Sequence, residues 1–152
     1  MKYRHIFYLL AINLSISVSA KAKESLPFDF SAGYGSLTSG FGVNLSLESE
    51  RSFGFVSLGC QYLNSSDIVD ICGGGLGYQI APFKSALEHS IGISYGNIGK
   101  GRNGDTEYGI STNYTYYFNE INNSGFWVGA GYQIGPSNDD LDEFFFNIGY
   151  NF

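Results

Sequence analysis

The chain has 152 residues, 14% of them charged and 17% aromatic, with a formal net charge of −6. That length suits one domain. The acidic balance excludes a nucleic-acid surface, which needs clustered Lys and Arg. The aromatic content excludes a disordered chain, and the 21 glycines follow no Gly-X-Y period, so collagen is excluded too.

The N-terminus reads as a secretory signal peptide over residues 1–20. Lys2 and Arg4 form a cationic start, Ile6 to Leu14 an apolar run, and Val18-Ser19-Ala20 a small-residue cleavage site, with cutting after Ala22 as the second choice. The apolar run is shorter than the roughly 18–20 residues of a spanning helix. Without Lys2 and Arg4, 6 basic residues remain against 14 acidic ones, a formal charge of −8. Residues 21–152 are then the domain that folds.

Period two recurs through that domain, and period 3.6 does not. Phe28, Phe30, Ala32 and Tyr34 share one face of a first segment. Phe41, Val43, Leu45 and Leu47 share one face of a second, with Gly42, Asn44, Ser46 and Glu48 between them. A third runs from about Phe53 to Tyr62 and changes phase from Phe53 and Phe55 to Val56, Leu58, Cys60 and Tyr62, which predicts either a β-bulge or a misplaced start. Cys72, Gly74, Leu76, Tyr78 and Ile80 mark the fourth, and Ile91, Ile93 and Tyr95 the fifth. The sixth carries Tyr108, Ile110, Thr112, Tyr114, Tyr116 and Phe118, and the seventh Phe126, Val128, Ala130, Tyr132 and Ile134. The eighth ends the chain, with Phe144, Phe146, Ile148, Tyr150 and Phe152 on one face and Phe145, Asn147, Gly149 and Asn151 on the other. Turn-forming stretches separate them, such as ESERS (48–52), NSSD (64–67) and GPSNDD (135–140).

The polar face decides the polarity of the whole. A soluble β-protein studs its outside with Lys and Glu. Here the non-apolar face is Gly, Ser, Asn, Thr and Gln, and past the signal the basic residues Lys21, Lys23, Arg51, Lys84, Lys100 and Arg102 lie near the mature start or in connections. The inverted arrangement fits: apolar residues toward lipid, small polar ones toward a narrow lumen. Lipid also demands closure, because an open sheet edge in hydrocarbon leaves backbone groups unpaired at several kcal/mol each. The expected fold is all-β, a closed antiparallel eight-stranded transmembrane barrel in up-and-down order. Its lumen receives many glycines, with Trp127, Tyr117 and Phe145 as bulky exceptions. Two interiors are open: a flattened barrel with close backbone approach, or a thin water-filled bore.

Cys60 and Cys72 are the only cysteines, and a hairpin folded about residue 66 sets them directly opposite each other. In an exported chain this predicts a cross-strand disulfide. Two cysteines without a nearby His do not suggest a metal site, and no cofactor motif is present. GGGLG (73–77) lacks the Lys-Ser/Thr and the helix of a phosphate loop. Asp139, Asp140, Asp142 and Glu143 read as a solvated acidic loop. In LEHS, His89 is flanked by Glu88 and Ser90, but successive strand residues point to opposite faces, so His89 is expected at the interface and not in a catalytic group.

The signal, the eight alternating segments and the terminal Phe together resemble small bacterial outer-membrane β-barrels of the OmpA/OmpX type. The resemblance implies that Phe144, Phe146, Ile148, Tyr150 and Phe152 form the signal read by the barrel-assembly machinery. It implies periplasmic termini, outer connections near 35–40, 63–67, 97–106 and 135–142, and periplasmic turns near 48–52, 82–86 and 119–124. The expected role is that of a Gram-negative outer-membrane protein, structural or surface-interacting and not an enzyme. Its expected partners are membrane lipid and lipopolysaccharide, and it is expected to be a monomer. The alternatives are a narrow, porin-like minor channel or a lipid A-modifying enzyme.

Overall fold

The computed structural model describes residues 28–61, 71–100, 105–135 and 143–152, with the side chain of Lys100 left aside. The expected signal peptide, Tyr62, Arg102 and the loop residues Asp139, Asp140 and Asp142 lie outside them. Eight strands follow in order: β1 (Phe28–Gly35), β2 (Gly40–Ser49), β3 (Ser52–Gln61), β4 (Ile71–Ile80), β5 (His89–Lys100), β6 (Thr106–Tyr117), β7 (Gly125–Ile134) and β8 (Glu143–Asn151). Each pairs antiparallel with its sequence neighbours, and β8 returns to β1, closing an up-and-down barrel. The Phe152 N–H donates to the Phe30 carbonyl at 3.0 Å, so the last residue is tied into the closing seam.

Alternation fixes which side chain goes where. On β2, Phe41, Val43, Leu45 and Leu47 are exposed outward while Asn44 and Ser46 are buried inside. The third segment does not carry a bulge. Its registers run unbroken from Ser52 to Cys60 with β2 and from Ser52 to Gln61 with β4. Phe53 and Phe55 are lumenal, in phase with Ser57, and both are buried. The change of phase in the sequence is a change in what fills the interior. The irregularity lies elsewhere, between Asn97 and Gly99 on β5, where the register with β6 shifts. Both strands continue past it, to Lys100 and from Thr106, into what the sequence suggested was a loop.

The β1–β2 connection does not project from the barrel. After Gly35 (φ 129°) the chain makes a short 3-10 turn, Ser36–Thr38, and leaves through Ser39 (φ 53°) and Gly40 (φ 98°). Left-handed conformations favour glycine, and these positions turn the segment into the lumen, where Leu37, Thr38 and Ser39 are almost fully buried.

Cys60 and Cys72 are directly paired and form a disulfide. The bond lies on the outward face, in one cross-strand row with Tyr34 and Phe41. Closing so short a hairpin removes chain entropy from the unfolded state, about 2–3 kcal/mol. Replacing both cysteines by serine is expected to leave a closed barrel and lower its unfolding free energy by about that amount. Urea titration followed by the mobility of the folded form on unheated gels checks this.

Candidate functional site

The lumen is a packed core. From one end the inward turn brings Leu37 onto a cluster with Phe53, Phe55, Tyr117 and Trp127, all at most 5% exposed. From the other end the β6–β7 turn folds over the mouth. Ile121 is buried there, its N–H donates to the Leu87 carbonyl at 3.0 Å, and Asn122 reaches the Ser49 carbonyl on another strand. Of the two interiors left open by the sequence, close backbone approach is present: the Thr38 carbonyl lies against Gly42 and Gly59. Some glycines lie beneath bulky side chains and others beneath the main chain of the inward turn. A Cβ on Gly149 would come within 2.2 Å of the Trp127 ring, one on Gly77 within 2.6 Å of Phe55, and one on Gly59 within 2.1 Å of the Thr38 carbonyl. Bare backbone at these places makes room for the filling.

Several polar groups inside are bonded to one another or to the main chain, while Asn113 Nδ2, Thr115 Oγ1 and Asn147 Nδ2 are buried without a partner among the described residues. Ser31 donates to Asn44 Oδ1 at 2.7 Å, and Asn44 donates to the Leu37 carbonyl at 3.1 Å. The Ser36 N–H donates to Asn147 Oδ1 at 2.8 Å, and the Ser39 and Ser57 hydroxyls meet at 2.8 Å. The last three of these bonds pin the inward turn to β2, β8 and β3, and the first ties Asn44 to β1. Along the wall formed by β4, β5 and β6, Ser90 donates to Gln79 Oε1 at 2.9 Å, and Gln79 donates to Asn113. Each such bond contributes only about 1 kcal/mol net, but leaving a buried partner unmade costs about 1–3.

The outward face is the inverse. Among the described residues, 26 large hydrophobic side chains are exposed there or in the adjoining turns. Between the strand ends that face carries no charged side chain; Glu50, Arg51, Lys84, Glu88 and Glu120 lie in turns. Aromatic side chains gather into two bands. One, at the end of the short turns, includes Phe30 against Phe152, Phe126 against Tyr150 and Tyr116 against Phe118. The other, toward the opposite end, pairs Tyr34 with Phe41, Tyr95 with Tyr108 and Tyr132 with Phe144. Between them runs a mainly aliphatic belt that includes Val43, Leu45, Val56, Leu58, Leu76, Ile93 and Ile110. Strands of about ten residues tilted by about 40° span roughly 25 Å, the height of a lipid-facing band.

The C-terminal residues singled out in the sequence all lie on this face. Phe144, Phe146, Ile148 and Phe152 are exposed, Phe144 at 82%, and Tyr150 is half-buried between Phe126 and Phe152. His89 opens β5 at the short-turn end and points outward. Its Nδ1 lies 2.5 Å from the Tyr114 hydroxyl, and its ring packs near Tyr116. Ser90 points inward and is fully buried. Glu88 stays in the preceding turn, where its carbonyl accepts from the Tyr117 N–H at 2.7 Å. The Glu-His-Ser sequence therefore does not converge. Glu143, from the acidic loop, accepts from Gln133 at 3.1 Å.

The in-folded turn was missed because GSLTSG (35–40) is small and polar and looks like any surface loop. Its one signal is the set of glycines at 42, 59 and 75, whose Cβ positions it occupies. No protein-family model, curated protein or solved structure matches this chain.

Trp127 is the only tryptophan and is 1% exposed. Its emission is expected to be blue-shifted and insensitive to acrylamide in the folded barrel. Trp127→Ala, which opens a cavity over Gly33 and Gly149, is expected to cost about 3–5 kcal/mol in urea unfolding.

Proposed function

We propose that this chain is an integral outer-membrane β-barrel, exported through its N-terminal signal. Its role is structural or surface-interacting, and it has no catalytic centre. One observation carries the reading: an uncharged outward face on which two aromatic bands flank an aliphatic belt. In water that face would be untenable. Moving half-exposed side chains of this size from water to hydrocarbon is worth about 1 kcal/mol each, tens of kcal/mol together. That exceeds the roughly 5–15 kcal/mol by which a typical domain is stable.

In this reading the short-turn end, with the C-terminus, faces the periplasm, and the lipid partners are phospholipid and lipopolysaccharide. Phe144, Phe146, Ile148, Tyr150 and Phe152 are the contact read by the assembly machinery. All five are presented on one face of the closing strand, which supports that role. The barrel acts as a monomer, with every described strand already paired on both sides. The inward β1–β2 turn removes one of the four connections at the outer end from any protruding surface, which favours a structural role over an adhesive one.

Two rivals have less support. A channel needs an open bore, and the described lumen is filled by Leu37, Trp127 and the phenylalanines. A lipid A-modifying enzyme built on His89 would have its base on the periplasmic side, with the neighbouring serine buried in the lumen.

Expressed with its signal in a Gram-negative cell, the chain is expected in the outer-membrane fraction, resistant to carbonate and urea extraction. Removing Phe152 is expected to lower the folded, membrane-borne amount several-fold. Recovery of the full chain as soluble periplasmic protein would overturn the reading. Planar bilayers are expected to show no steady conductance, and lipid A mass spectra to be the same with and without the protein.

A further inference from the structure

The outward face is not uniformly convex. Register places Tyr78, Ile93, Thr112, Tyr132 and Phe144 in one cross-strand row. The next row holds Ile91, Tyr114 and Ala130. Between the rows lies a trough of about 690 Å³, floored by backbone at Gly92, Asn113 and Gly131. It exists because Thr112 and Ala130 are small where their neighbours are aromatic or branched. The Thr112 hydroxyl is turned to the Tyr132 carbonyl at 3.5 Å, so the side chain presents its methyl.

The trough is inclined. At β4 it begins near the short-turn end, beside Tyr78 and Ile80, and at β8 it ends near the opposite rim, beside Phe144. At its foot it adjoins a second hollow of about 350 Å³, because Ile91 and Tyr114 line both. That hollow is closed by Pro82, Phe83 and His89. When the Tyr114 hydroxyl donates to Nδ1, the imidazole proton sits on Nε2. No described protein group is hydrogen-bonded to Nε2, so it can donate outward. Lys84, exposed in the same turn as Phe83, adds a cation at this rim.

We propose that this trough and hollow form a binding site for one diacyl glycerophospholipid of the leaflet at the short-turn end. An acyl chain lies in the trough, and a phosphate oxygen accepts from His89 Nε2 beside Lys84. The occupant follows from the chemistry. A long apolar channel ending at an outward N–H donor and a cation matches an amphiphile with an anionic head. The inference rests on the membrane reading above, and deepens it by assigning one lipid to one place.

The test uses the folded barrel in nanodiscs of phosphatidylethanolamine and phosphatidylglycerol, released into mild detergent and weighed by native mass spectrometry. The wild type is expected to retain one palmitoyl-oleoyl phosphatidylglycerol. Thr112→Leu with Ala130→Leu, which fills the trough, is expected to reduce retention at least tenfold. Ile91→Phe, which narrows the junction, is expected to act in the same direction and serves if the double variant does not fold. His89→Ala is expected to weaken retention of the phospholipid but not of added palmitate. Leu58→Phe, on β3 away from the trough, is the folded control and is expected to retain the lipid. Equal retention in the trough variants, or none in a wild type shown to be inserted in the nanodisc, overturns the site while leaving the membrane reading intact. A wild type that does not insert at all overturns both.

Discussion

The pairing of β8 with β1 is the constraint on which the rest depends. Every peptide group in a strand must find a partner, and a sheet with a free edge cannot satisfy its outermost groups in hydrocarbon. Closure removes the edge, and it relies on eight strands of similar length, each with an unbroken ladder or a single tolerated irregularity. The seam ends at Phe152, whose N–H is bonded to the Phe30 carbonyl and whose ring meets both Phe30 and Tyr150. Phe152 thus has a structural part: it finishes a ladder and completes an aromatic band.

Closing eight strands also sets the interior volume, which suits a filling of side chains. This chain fills it asymmetrically. Large rings, Trp127, Tyr117, Phe53 and Phe55, occupy the part nearer the short turns. A piece of main chain, Leu37 to Ser39, occupies the other, held by Asn44, Ser57 and Asn147. The glycines follow from this filling. Each bulky group needs a bare patch of wall, so the high glycine content reflects interior packing as much as strand curvature. The barrel therefore has two apolar environments, a small packed cluster inside and a large outward face, separated by one layer of backbone.

Much of the fold was legible in the sequence, because a period of two is a strong signal and eight such segments in succession match the eight strands of the closed barrel. The disulfide was legible for a geometric reason: a midpoint at residue 66 sets Cys60 against Cys72. What was not legible involved residues whose type does not declare a side. Phe53 and Phe55 looked like a slipped phase because phenylalanine suits both lipid and a packed lumen. Gly35 to Gly40 looked like an external loop because small polar residues suit both water and a hydrogen-bonded interior. At the β5 bulge, Asn97 and Ile98 are both buried, a local break in alternation that period two cannot describe. The trough beside Thr112 was hidden as well, since it depends on which strands are neighbours across the barrel wall.

The central claim is that the aliphatic belt meets hydrocarbon. It is tested most directly with a single reporter: Leu58→Trp in a Trp127→Phe background, reconstituted into vesicles containing phospholipids brominated along the acyl chain. The account predicts strong quenching by the brominated chains and none by iodide in the buffer. Emission quenched by iodide and unchanged by the brominated lipid would contradict it.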